Sequence, residues 1–228
     1  MQEVCGCYLQ AQQLWQEEGI HTVCVDEKTG IQALERLAPT KPMQPGQVEK
    51  PEFEYKRHGT QCLLANFEVA TGQVIAPTVQ LTRDEQDFAE HIERTVAQDP
   101  KAGWIFVSDN LTTHCSATLV LLVALWCGIG KELLGKKGKS GVLKSVASRK
   151  TFLTDLSHRI RFVYVPKHTS WLNQVEIWFS ILVRRVIRRG NFTSKEDLRD
   201  KILRFIDYFN KTLAKPFKWT YTGRPLNV

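Results

Sequence analysis

Residues 164–189 read YVPKHTSWLNQVEIWFSILVRRVIRR, and few folds accommodate such a run. An apolar strand end, Phe162 to Val165, stops at Pro166, where a ladder donor is lost. A polar turn follows. Leu172, Val175, Phe179, Leu182, Val183 and Val186 then recur at three- and four-residue steps, so they form one apolar stripe of a helix. Glu176 falls at the rim of that stripe, between core and solvent. Arg184, Arg185, Arg188 and Arg189 crowd the last turns, a block suited to phosphates. The spacing Asn173-x-x-Glu176 is also that of a capping box, with Glu176 turned back onto the helix start. Both roles for Glu176 stay open on this stretch alone.

Charge divides the chain. Residues 131–228 carry 22 Lys/Arg against 7 Asp/Glu, +15; residues 1–130 carry 9 against 17, −8. One half offers a polyanion-binding face, the other an acidic region able to hold cations. At 228 residues and 43% hydrophobic the chain can bury one sizeable core. Leu119 to Trp126 is the most apolar segment and is too short for a membrane span. The N-terminus has no export-signal pattern, so a cytoplasmic location is expected. Six cysteines, Cys5, Cys7, Cys24, Cys62, Cys115 and Cys127, lack paired CxxC spacing, which argues for reduced thiols and against zinc.

Taken in order, residues 2–18 read as a polar helix anchored by Leu9, Leu14 and Trp15 and ended by Gly19. Residues 1–19 are expected to be the remnant of a linker helix, and 20–228 one domain. Ile20 to Val25 reads as a buried strand with Asp26 at its far end. Residues 38–60, with Pro39, Pro42, Pro45, Gly46 and Pro51, form an irregular excursion. Two strands, Gln61 to Ala70 and Gln73 to Leu81, are joined by Thr71-Gly72. Thr82, with Glu85 at N3, is placed to cap a helix through Phe88, Ile92 and Val96. Gly103 to Val107 is a compact strand ending in Ser108-Asp109-Asn110. Thr112 or Thr113 then opens a helix holding Leu119, Leu122, Val123 and Trp126. A basic, Gly-rich insertion at about 130–150 is expected to be a mobile loop with a helical end. Ile160 to Val165 is the last strand, and a helix from Ser194 carries Leu198, Ile202, Phe205, Ile206 and Phe209. This order predicts an α/β fold, a mixed sheet with helices on both faces.

Three acids stand out: Asp26 and Asp109 at strand ends and Glu176 on the helix after the last strand. If the two strands are neighbours, the aspartates lie side by side and Glu176 closes the group. Three carboxylates in one cleft need a cation, and hard oxygen ligands select Mg²⁺ or Mn²⁺. Two such ions suit phosphodiester chemistry. The acids are 83 and 67 residues apart, so no local loop assembles them. Asp109-Asn110 is equally able to cap the next helix. Rival motifs fail. Gly138-Lys139-Ser140 needs a glycine at 133, where Leu133 stands. The adjacent His114 and Cys115 diverge on a helix and have no orienting acid. His168, next to Lys167, suits a phosphate better than zinc. Trp171 and Trp178 are expected in the core rather than stacked on bases.

Asp26-Glu27 after an apolar strand, Ser108-Asp109-Asn110-x-x-x-His114 and Pro166-Lys-His-x-Ser-Trp-Leu-Asn-Gln-Val-Glu176-Ile-Trp-Phe together resemble the catalytic domain of DDE-type insertion-sequence transposases. Within that group they are most similar to the bacterial branch of the mariner-related superfamily. Arg188 to Ser194 and Lys215 to Trp219 carry the same likeness. The resemblance implies an RNase H-like, retroviral-integrase-like fold, with Asp26, Asp109 and Glu176 as the catalytic and metal-binding triad for two Mg²⁺ or Mn²⁺ ions. It implies cleavage at transposon ends, strand transfer by the freed 3′-hydroxyl and a homodimer. DNA is the expected partner, with Lys136, Lys137, Lys139, Lys144, Lys167, His168, Arg184, Arg185, Arg188 and Arg189 along its backbone. Asn110, His114 and Asn173 are expected to support the triad. The family's N-terminal helix-turn-helix region is not recognised in this chain. The longer gap between Asp109 and Glu176 is filled by the basic insertion, as in the longer bacterial subtype.

Overall fold

In the computed structural model, which describes residues 1–50 and 52–224, five strands form one sheet. They are β1 (Ile20–Arg36), β2 (Tyr55–Glu68), β3 (Val74–Gln80), β4 (Gly103–Ser108) and β5 (Ile160–Tyr164), in the order β3-β2-β1-β4-β5. The first three are antiparallel neighbours, whereas β1–β4 and β4–β5 are parallel. Six α-helices accompany them: α1 (Gln2–Gln13), α2 (Glu85–Val96), α3 (Ala117–Trp126), α4 (Val146–Leu153), α5 (Gln174–Leu182) and α6 (Lys195–Thr212). Pro51 and residues 225–228 lie outside the described residues.

Strand periodicity sorts the core into two layers. Cys24, Ile105, Val107, Val163 and Val165 point to the face covered by α1, α5 and α6. Val23, Val25, Trp104, Phe106, Ile160 and Phe162 point to the face covered by α2, α3 and α4. The expected mixed sheet with helices on both faces is therefore present.

Several boundaries differ from the sequence reading. β1 does not stop at Val25. Its parallel pairing ends at Cys24↔Val107, but its antiparallel pairing with β2 runs on to Arg36↔Tyr55, with register shifts after Lys28 and Gln32. Asp26 therefore lies within a strand of 17 residues, at the point where β4 leaves it. Beyond Asp26 the arm buries only Ile31 and Ala33, set between the exposed Thr29, Gly30 and Gln32, so it lacks the continuous apolar run that marks a buried strand. β2 correspondingly starts at Tyr55 rather than Gln61.

Helix starts also shift. Asp84, not Thr82, caps α2, accepting from the Gln86 and Asp87 backbone N–H groups while the Asp87 side chain returns to the Asp84 N–H. Two overlapping cap signatures compete here, and the longer carboxylate reach two residues on prevails. Ser116 rather than Thr112 or Thr113 caps α3, after a short 3₁₀ turn over Thr113–Cys115. In α1 the buried face is Val4, Cys5, Cys7, Tyr8 and Ala11, while Leu9 and Trp15 are exposed. Small thiol and alanine side chains let α1 lie close to the sheet, a contact that hydropathy alone does not mark.

The basic segment 130–150 is folded rather than open. Two 3₁₀ turns flank a Lys136↔Ser140 bridge, and Leu134, Leu143 and Leu153 enter the core. The turn between β2 and β3 needs Gly72, which has φ +73 and whose missing side chain would fall 2.1 Å from the Lys215 backbone.

Candidate active site

The register of β1 against β4 pairs Cys24 with Val107. Asp26 and Asp109 each follow two residues beyond this last pair. Asp26, still within β1, continues the alternation of Cys24 toward the face that α5 covers, whereas Asp109 lies just past the end of β4 and its carboxylate reaches His114. Their proximity has an electrostatic signature. Burial, and next to it the Asp109 carboxylate, push Asp26 up to about 7. Asp26 is 7% exposed.

Asp109 sits at the opposite extreme. Burial works against its charge, but the hydrogen bond and charge of His114 outweigh that and hold it below the ordinary carboxylate range. His114 Nδ1 lies 2.6 Å from Asp109 Oδ1 and 2.9 Å from Ser108 Oγ, and Nε2 lies 3.0 Å from Glu27 Oε2. Phe88 stacks on the imidazole with ring centroids 4.0 Å apart. Burial opposes protonation of His114, yet its two carboxylate partners raise it to about 9. The imidazole is thus a cation between two acids.

The helix carrying the third acid is tied to this pair. Asn173, at the N-cap position of α5, makes no side-chain cap hydrogen bond. Its Nδ2 instead donates to the Val25 carbonyl at 3.1 Å and to Asp26 Oδ2 at 3.3 Å. The capping-box alternative for Asn173-x-x-Glu176 is therefore not realised. Glu176, three residues on and half-buried, lines a cavity of about 270 Å³ with Lys28, Phe179, Ser180, Val183 and Arg184. Trp178 is in the core, but Trp171 is 53% exposed and tilts against Tyr221 at 5.6 Å. The 3₁₀ turn Ser170–Leu172 buries Leu172 and turns its neighbour outward.

The structure thus brings Asp26 and Asp109 together and puts Glu176 on the adjoining helix. Among the described residues no three His, Cys, Asp or Glu side chains converge closely enough to form a ready cage for an ion. The donor chemistry nonetheless fits a hard divalent cation. Asn173 donates to Asp26 from α5, and burial first and the nearby Asp109 charge second push Asp26 up to about 7, a cost that a bound Mg²⁺ or Mn²⁺ would relieve.

The basic residues are all exposed. Lys167 and His168 line a cavity of about 260 Å³ with Asp109 and Asn110, and His168 adopts φ +63, a conformation that non-glycine residues rarely take. Arg184 borders the Glu176 cavity. It also borders, with Arg185, Lys215, Phe209 and Phe217, a second cavity of about 250 Å³. Arg188 and Arg189 stand farther along, beside Leu34, Arg36 and Phe53, and Arg189 lies 3.6 Å from Glu49. Lys137 pairs with Glu85 at 3.3 Å on the first turn of α2; Lys136, Lys139 and Lys144 belong to the same folded segment.

Sequence reasoning missed Lys150 and Arg83 and left Glu27 without a role. Lys150 Nζ donates to Asn110 Oδ1 and lies 4.8 Å from the Tyr164 ring, while Asn110 Nδ2 holds the Val165 carbonyl. Arg83 lies 3.8 Å from Glu27 Oε1. No local pattern marks these residues. The acid pair Asp26-Glu27 was the only available signal, since alternation along a strand sends the second acid to the opposite face.

The described residues contain no helix long and apolar enough to cross a membrane, and all six cysteines are free. Among solved structures, a Mos1 transposase paired-end complex with left transposon end aligns with 96% of this chain and 55% of its own, at 14% identity and a TM-score of 0.55. The Mos1 strand transfer complex aligns with 92% and 57%, at 11% identity and a TM-score of 0.47. The chain spans about half the length of these structures, and the first likeness establishes the shared RNase H-like fold. No curated protein matches the chain. The family described as DDE superfamily endonuclease matches residues 21–199, and the chain belongs to that family.

Proposed function

We propose that this chain is the catalytic domain of a DNA transposase of the bacterial, mariner-related insertion-sequence branch. It would cleave phosphodiesters at transposon ends and transfer the strand through the freed 3′-hydroxyl. The observation that carries this reading is the closeness of Asp26 and Asp109, just beyond the last paired residues of β1 and β4 and near enough for the charge of one to act on the other, in a chain of the DDE endonuclease family. Asp26, Asp109 and Glu176 are the residues that would hold two Mg²⁺ or Mn²⁺ ions. Such ions, when bound, activate an attacking water or hydroxyl and stabilise the leaving oxygen. The chain's own residues supply the rest. Asn173 orients Asp26, His114 orients Asp109, and Asn110 is held between Lys150 and the Val165 carbonyl.

DNA is the proposed partner. Lys167, His168 and Arg184 border the acids, and Lys136, Lys137, Lys139, Lys144, Arg185, Arg188 and Arg189 extend the cationic surface. Phosphate contacts of this kind set affinity and register without reading bases. A homodimer is proposed as well, supported by Leu37, Met43, Val48 and Phe53, large apolar side chains exposed along 37–54. A cytoplasmic, nucleoid-associated location is part of the same proposal and rests on its function on DNA.

The test is nicking of supercoiled DNA with Mg²⁺. Asp109→Asn abolishes nicking and leaves DNA binding intact; equal nicking by the variant contradicts the proposal. One observation favours a second reading, a chain that binds DNA without cutting it: Glu176 stands outside the aspartate pair. Joining of a pre-nicked transposon end to a target separates the two, since only a catalytic chain performs it.

A further inference from the structure

Glu27 is adjacent to Asp26 but serves the opposite face of β1. Its side chain is 7% exposed, and its buried neighbour His114 is 1% exposed. A buried carboxylate is costly unless paired, and such pairs seldom add net stability compared with apolar replacements. The ion chain therefore needs another explanation, and its far end supplies one. Asp109 Oδ1 accepts from His114 at 2.6 Å and from the Leu111 backbone N–H at 3.0 Å. Asp109 Oδ2 has no protein hydrogen bond among the described residues. Phe88 and Ser108 fix the imidazole from its face and edge, and Arg83 approaches the outer Glu27 oxygen.

We infer that Glu27 is a positioning residue: through His114 it holds Asp109 Oδ1 toward the protein and so presents Oδ2 to a divalent cation. The inference rests on the reading of Asp109 as a metal ligand. Groups that orient a ligand from behind commonly change metal affinity by about 10–100-fold.

The test uses the full chain and Mn²⁺ alone, with free Mn²⁺ followed by electron paramagnetic resonance, beside crystal structures of Glu27→Gln and Glu27→Asp. Both variants melt cooperatively if folded. Expected is a Mn²⁺ affinity lowered about 10–100-fold in Glu27→Gln, with the Asp109 carboxylate turned from its wild-type position. Glu27→Asp, which keeps the charge but shortens the reach, also loses affinity. Wild-type affinity in Glu27→Asp reduces Glu27 to a charge and overturns the inference, as does unchanged affinity in Glu27→Gln with Asp109 in place. Should one variant not fold, the other decides. If the wild-type chain takes up no Mn²⁺, the proposed function fails, and the position of Asp109 in the variant crystals alone decides the role of Glu27.

Discussion

Asn173 Nδ2 stands 3.3 Å from Asp26 Oδ2, so a single amide locks the start of α5 to the central strand of the sheet. The bond joins residues 147 positions apart, and Glu176 follows one turn later. Whatever moves Asn173 moves the third acid relative to the first. Asn173→Ala is expected to destabilise the fold by about 1–3 kcal/mol, because the buried hydrogen bonds from its amide to the Val25 carbonyl and Asp26 Oδ2 are lost. Urea unfolding should show a lower midpoint at unchanged slope. Asn173→Asp brings a further negative charge to the aspartate pair and should reduce nicking more than the alanine variant does. Equal stability of wild type and Asn173→Ala would show that the amide is not holding the two elements.

The cationic surface has a salt signature. Each phosphate contact contributes about 0.9 to the slope of log affinity against log salt. Arg184→Gln together with Arg185→Gln should therefore flatten the slope by about 2 in anisotropy titrations with duplex DNA. Lys137→Gln should cost less than Arg184→Gln, since Lys137 already pairs with Glu85. An unchanged slope in the double variant excludes these arginines from the DNA path.

His91 provides a pH test away from the site. It is fully buried on α2, with Nδ1 2.9 Å from Thr78 Oγ1. Burial first, then the charges of Arg94 and His114, lower it to about 3 from 6.5. A group depressed in the folded state stabilises fully above its unfolded value and loses that contribution as pH falls. The loss should run from about pH 6.5 toward 3, at up to about 1.4 kcal/mol per pH unit. His91→Gln should have a shallower acid limb over that window in pH-dependent melts; an identical limb contradicts a neutral buried His91.

Much of this architecture was legible in the sequence, for identifiable reasons. Val23, Val25, Phe106 and Phe162 lie in short apolar runs, and the α5 stripe from Leu172 to Leu182 announces its period. Asp109 stands at a true strand end. Asp26 was expected at the end of a strand closing at Val25, whereas β1 continues through it, with a register shift between Lys28 and Ile31. What stayed hidden depends on tertiary approach. Glu27 and His114 meet across 87 positions and Lys150 and Asn110 across 40, and no residue spacing encodes either. Asn173 matched a capping box, yet the carbonyl and carboxylate of β1 outbid the helix start for its amide.

The apolar side chains at Leu37, Met43, Val48 and Phe53 make a further prediction. Val48→Ser with Phe53→Ser should shift sedimentation toward the monomer at concentrations where the wild-type chain associates. A wild-type chain that sediments as a monomer throughout contradicts the dimer.

The central claim is that the acids at 26, 109 and 176 hold divalent ions together, and anomalous diffraction from crystals soaked in Mn²⁺ tests it most directly. The account predicts anomalous peaks ligated by Asp26 and Asp109, with Glu176 drawn to the second ion. Peaks elsewhere on the surface, or none in crystals that take up Mn²⁺, would contradict it.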